Sequence, residues 1–118
     1  MVYNIYMKIL DTVIKKSDLQ NATQVFDGPM VKGVVDIEKG ILAIDAEMHA
    51  DLEQLLLSEG SEQDDLWGIN LWYEDDGEDF VEFDSMINVR PRQGNMTRGV
   101  DDVEKQGKIL EIVRKWVQ

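Results

Sequence analysis

The chain has no cysteine, a single histidine, two prolines and no long apolar run, and each shortage removes a class of function. Without cysteine there are no disulfides, no thiolate metal sites and no cysteine nucleophile, so packing must hold the fold together. One histidine, His49, rules out every zinc motif built on two. No segment approaches the ~20 apolar residues of a membrane span. The opening MVYNIYMKIL lacks the basic flank and cleavage site of a signal peptide. The expectation is a cytoplasmic, soluble protein without a membrane partner.

Positive charge is scarce as well. Twelve Lys and Arg stand against 24 Asp and Glu, a net charge of -12. A surface this negative repels nucleic-acid phosphates and anionic lipid, so nucleic acid is not expected as a partner. There is also no glycine-rich nucleotide loop, and no serine placed with a base and an orienting acid.

What is present fits one domain, since 118 residues lie within the usual roughly 100–150. Loose alternation predicts a strand over residues 3–10, and the Ser17/Gln20 spacing predicts a helix over 18–26. Residues 30–37 and 41–44 form a hairpin around Glu38, Lys39 and Gly40. Asp45 caps a helix running to 59, stopped by Gly60. Residues 66–73 alternate as a strand with Trp67, Ile69, Leu71 and Tyr73 on its apolar face, and Glu74 to Asp79 make an acidic hairpin tip. Asp101 and Glu104 open a last amphipathic helix carrying Val103, Leu110, Val113 and Val117. The order β-α-β-β-α-β-β-α describes an α+β domain, residues 1–118, with helices on one face of a mainly antiparallel sheet.

The stretch 79–95, DFVEFDSMINVRPRQGN, stands out within that plan. Its first part alternates as the longest strand, with Val81, Phe83, Ser85, Ile87 and Val89 on one face and Glu82, Asp84, Asn88 and Arg90 on the other, ending before Pro91. Its second part is a polar loop holding Arg90 and Arg92, with Arg98 beyond. Two guanidinium forks flanking a proline can clamp a carboxylate or phosphate, assisted by Asn88 and Asn95. Structural ion pairing with the many carboxylates is the competing reading of the same arginines.

A second candidate is the pair His49 and Glu53, four apart on the predicted helix and interrupting its apolar arc of Met48, Leu52, Leu55 and Leu56. Such a pair can act as acid and base, or ligate a metal if another element supplies the missing ligand. A hydrogen-bonded pair at the core margin is the plainer explanation. The acidic tip lacks the spacing of an EF-hand and reads as solvated.

VVDIEKGILA, EMHADLEQLLLSEGS, QDDLWG and INVRPRQGN together resemble the pattern of a small prokaryotic family catalogued as a domain of unknown function, over residues 30–117, with HAD-x-E and INVRPRQ-x-N the most specific pieces. The resemblance implies no activity. The sequence therefore supports a ligand- or partner-binding domain in which Asn88, Arg90, Arg92 and Asn95 meet a small anionic ligand or protein partner. A metal-assisted hydrolase centred on His49 and Glu53 is the alternative, and a homodimer using Trp72 or the last helix is a third. No cofactor and no resident metal are assigned.

Overall fold

Two stretches rich in β-branched and aromatic residues with a period of two become the longest strands among the described residues. The computed structural model, which describes residues 7–21 and 29–118, pairs Met30–Asp36 with Leu66–Trp72 antiparallel along their full length. Naming the strands β1 (Lys8–Ile9), β2 (Met30–Asp36), β3 (Ile41–Ile44), β4 (Leu66–Trp72) and β5 (Val81–Glu82), the sheet runs β1-β3-β2-β4-β5, antiparallel throughout. The hairpin between β2 and β3 is closed by Asp36, whose buried carboxylate accepts from the backbone N–H groups of Glu38 and Lys39, each at 2.9 Å. Gly40 supplies the left-handed φ of 70° that the turn requires. The same carboxylate accepts from Ser61 Oγ at 2.6 Å, tying the following helix-to-strand loop to this turn.

Adjacent residues of β2 explain the layering. Val34 and Val35 point to opposite faces of the sheet and both are fully buried, so each face needs a cover. Helix α2 (Val103–Trp116) covers one, packing Ile109, Ile112 and Val113 against Val35, Leu42, Trp67, Ile69 and Leu71. Helix α1 (His49–Ser58) covers the other with Leu52 and Leu56 against Val34, Ala43 and Leu66. The result is one packed α+β unit, with the 3-10 turn Lys16–Asn21 in the first helical place. The predicted class and element order stand. The helices, expected on one face, are divided between two.

Other details differ from the sequence expectation, each for a local reason. The stretch 79–90 is not a long strand: β5 is only Val81–Glu82, and 3-10 turns follow at Met86–Asn88 and Pro91–Gln93. Ser85 Oγ accepts from Ile87 N at 3.3 Å and bends the chain there, so alternation fails and Ser85, Asn88 and Arg90 are buried while Val89 is exposed. Helix α1 begins at His49 and its N-cap is Met48, not Asp45, which holds a left-handed φ of 75° where an N-cap has extended backbone. Its buried face is His49, Leu52, Glu53 and Leu56, with Met48 turned out at 57% exposure. Asp102, not Asp101, caps α2, accepting from Glu104 N and Lys105 N, and Val103 lies on its solvent side. The parts of the predicted first strand and first helix at 3–6 and 22–26 lie outside the described residues.

Gly107 sits exposed in the middle of α2, and a Cβ built there meets nothing within 4 Å. Gly107→Ala should therefore raise stability by about 0.5–1 kcal/mol, by removing backbone freedom from the unfolded chain. Urea unfolding of the variant, with an unchanged m-value, measures this.

Candidate functional site

The register of three strands brings together residues far apart in the chain. Lys32 of β2 lies opposite Asn70 of β4, which lies opposite Glu82 of β5, all on the α1 face; Met30 and Trp72 make the next pair. The first turn of α1 sets His49 against β4 beside Asn70, the middle of this row, and the irregular residues 84–87 complete the lining. A groove of about 500 Å3 results, lined by His49, Lys32, Asn70, Glu82, Asp84, Ser85 and Arg98, with Met30, Met48, Trp72, Met86 and Ile87 as its apolar surface. That size falls in the ~300–1,000 Å3 range of small-molecule sites.

Gly68 makes the close approach possible. A Cβ at this position would lie 2.5 Å from Ser85 Cβ, 2.6 Å from Ser85 Oγ and 3.2 Å from His49 Cδ2. The absence of a side chain thus seats both residues against β4. His49 Nε2 is 2.8 Å from the Ile69 carbonyl oxygen, which can only accept, so Nε2 carries the proton of the neutral ring. Burial lowers the His49 pKa below 6.5, reinforced by Lys32 and opposed by the Ile69 carbonyl, the Asn70 side chain and Asp84. The ring is consequently neutral at pH 7. A Ser-His-Asp relay is not formed by Ser85, His49 and Asp84, because the Nε2 that would take the serine proton is committed to Ile69.

The polar floor is connected, with one gap. Asn70 Nδ2 donates to Glu82 Oε1 at 2.8 Å and to the Asp84 carbonyl at 3.2 Å, which fixes the orientation of the amide. Trp72 Nε1 donates to the same Glu82 oxygen at 3.2 Å, and Arg98 Nε lies 2.7 Å from Asp84 Oδ1. Asn70 Oδ1 is buried on the side of the His49 ring and accepts no hydrogen bond from that ring's neutral form, whose Nε2 proton goes to Ile69. An acceptor left without a donor costs about 1–3 kcal/mol, which a donor reaching Asn70 would recover.

Of the six residues given a catalytic or ligand-binding role from the sequence, His49 alone lies in this groove, with Arg98 and Trp72, noted there in other contexts, beside it. Glu53 turns toward Arg90, whose Nη2 is 3.8 Å from Glu53 Oε2, so the helical pair does not converge on one point. Among the described residues no group of three His, Asp or Glu side chains is placed to hold a metal ion. Asn88, Arg90 and Asn95 are buried and bind main chain. Asn88 Oδ1 accepts from Gly68 N at 2.8 Å while its Nδ2 donates to Gly68 O at 2.9 Å and to Arg98 O at 2.9 Å. Arg90 donates to the Leu66 and Asp64 carbonyls and stacks 4.7 Å from the Trp67 ring, and its burial lowers its pKa despite Glu53 and Asp64. Asn95 Nδ2 donates to the carbonyls of Asn88, Thr97 and Gly99, and its Oδ1 accepts from Asp101 N. Arg92 alone of the loop set is exposed, at 71%, and pairs with Asp64 at 2.6 Å.

Asn70 is the central groove residue that the sequence reading passed over. A polar residue inside the otherwise apolar strand 66–73 was the available clue to Asn70. A second concavity, about 630 Å3, lies between α2 and residues 77–83, lined by Phe80, Val81, Phe83, Leu110 and Val113; none of its polar lining residues is buried.

Removing the Asn88 amide orphans both polar groups of the Gly68 peptide. Asn88→Ala should lower stability by about 2–4 kcal/mol in urea unfolding, while Arg92→Ala changes it by less than about 0.5 kcal/mol. The His49 prediction concerns protons. Because its folded pKa lies below its unfolded value, the neutral ring contributes stability above pH 6.5 that is lost as pH falls through that value toward the folded one. The Cε1 proton of the protein's single histidine should titrate with a midpoint below 6.5 by nuclear magnetic resonance, and His49→Gln should flatten the stability profile between about pH 7.5 and 5.5.

No helix among the described residues is long and apolar enough to cross a membrane. Comparison with curated proteins and with solved structures gives no match. A protein-family model does match, spanning both central strands, both α-helices and every residue of the groove. The model's description is "Protein of unknown function (DUF5674)", it covers residues 8–116, and the chain belongs to that family.

Proposed function

We propose that this protein is a binding domain and that its ligand enters the groove beside His49. The observation that carries this reading is Asn70 Oδ1: a buried acceptor without a donor, on the floor of a concave site, where a ligand N–H or O–H would complete it. Supporting features surround it. Met48 and Met86, at 57% and 66% exposure, are among the most exposed large apolar side chains described, and both line the groove. Flexible thioethers of this kind mould to apolar portions of a ligand. The neutral His49 offers a further polar contact.

In this reading the segment from Asn88 to Asn95 is a frame. Its side chains bond the edge of β4 and the loop beyond it, which leaves Arg92 as the exposed cation of the loop for an anionic partner. Acid-base chemistry by His49 with Glu53 is disfavoured by the orientation of Glu53 toward Arg90.

A screen of the 15N-labelled protein against small amines, carboxylates, phosphates and neutral amides tests the proposal. Binders should perturb amides at 49, 70, 84 and 87 together. Perturbation confined to 92 and 93 would place recognition on the loop instead.

A further inference from the structure

The chemical class of the ligand follows from the groove and the depression that adjoins it. We propose that the site takes an alkylammonium group on a methylene stem, either a free linear polyamine or the lysine side chain of a peptide; this rests on the groove being the binding site.

Four observations point the same way. An unpartnered carbonyl oxygen needs a donor, and an ionised carboxylate cannot supply one, whereas an amine can. Beside the groove, and sharing Trp72 and Glu82 with it, lies a depression lined by Trp72, Asp75, Glu78, Asp79, Val81 and Glu82. Four carboxylates surround one half-buried indole there, and no basic side chain is in the lining. Aromatic faces beside carboxylates are the surroundings in which ammonium groups are held, by cation–π attraction together with charge-assisted hydrogen bonds.

The protein already binds an ammonium in this way a few residues along. Lys16 Nζ lies 2.7 Å from Asp76 Oδ1, donates to the Asp75 carbonyl and sits 4.6 Å from the centroid of the Phe80 ring. Finally, the methionine walls suit a methylene stem. An amine group over Trp72 and Glu82 would run its stem along Met30 and Met86, bringing a second N–H toward Asn70. Lys32, across Asn70 from Glu82, gives direction, since it repels the charged end toward the Trp72 depression.

The experiment is a titration of the 15N-labelled protein with three probes: spermidine, an N-acetyl-lysine methylamide, and inorganic phosphate. Spermidine or the lysine derivative should shift the Trp72 indole and the Asn70 side-chain amide saturably. Shifts with spermidine alone identify a free polyamine, and shifts with the lysine derivative alone identify a protein partner. Glu82→Gln should weaken binding about tenfold, with Asp79→Asn as a second variant should the first fail to fold, and Glu111→Gln on α2 should leave it unchanged. Equal weakening by Glu111→Gln would overturn the proposal in favour of diffuse attraction to an acidic surface. Saturable shifts at Asn70 with phosphate and not with the amines would overturn the cation assignment while keeping the groove as the site. Silence from all three probes would sink the cation assignment, and silence across the wider panel as well would sink the groove.

Discussion

The pairing of the Asn88 amide with the Gly68 peptide is the contact on which the candidate site depends. Strand β5 pairs only with Asn70 and Leu71, so the part of β4 nearer its start has no strand on the edge away from β2, yet it is buried. Side chains replace the missing strand. Asn88 offers Gly68 one acceptor and one donor, as a neighbouring peptide would, and Arg90 takes the Leu66 carbonyl two residues away. An Asn amide can do this because its geometry copies that of a backbone amide. Asn95 then holds the carbonyl of Asn88 itself, so the INVRPRQGN segment is braced from within.

Gly68 has a second duty on the same few ångströms of backbone. Its edge is bonded by Asn88, while its vacant side-chain position admits Ser85 and His49. The wall of the groove and the termination of the sheet are therefore coupled at one residue. The polar row Lys32, Asn70 and Glu82 crosses the sheet next to it, on the face where α1 provides Leu52 and Leu56 further along. An apolar layer and a polar groove thus share one face, divided by the point where the helix begins.

Long periodic segments made the central strands, the β2–β3 hairpin and both α-helices readable from the sequence. The stretch 79–90 was not readable in that way. Its apolar–polar alternation is that of a strand, but the decisive partners of Asn88 and Arg90 are backbone groups of β4, about twenty residues distant, and no local pattern records them. The inward face of α1 was ambiguous for a related reason: Met48 is the extended residue before the helix and not part of it, and only packing against Gly68 and Ile69 turns His49 inward. His49 stood out as the lone histidine. The rest of the groove is a product of strand register, which brings Lys32 and Asn70 together across 37 intervening positions and is invisible to spacing.

The side-chain substitution along β4 has a consequence for the protein in a crowded solution. An uncovered strand edge offers unpaired N–H and C=O groups to any extended chain and is a route to aggregation. Here the exposed half of that edge is sealed by an amide and a guanidinium that add no new edge of their own. A second strand would have to displace Asn88 and Arg90 before it could dock, so the sheet is closed to growth on this side by chemistry rather than by another strand.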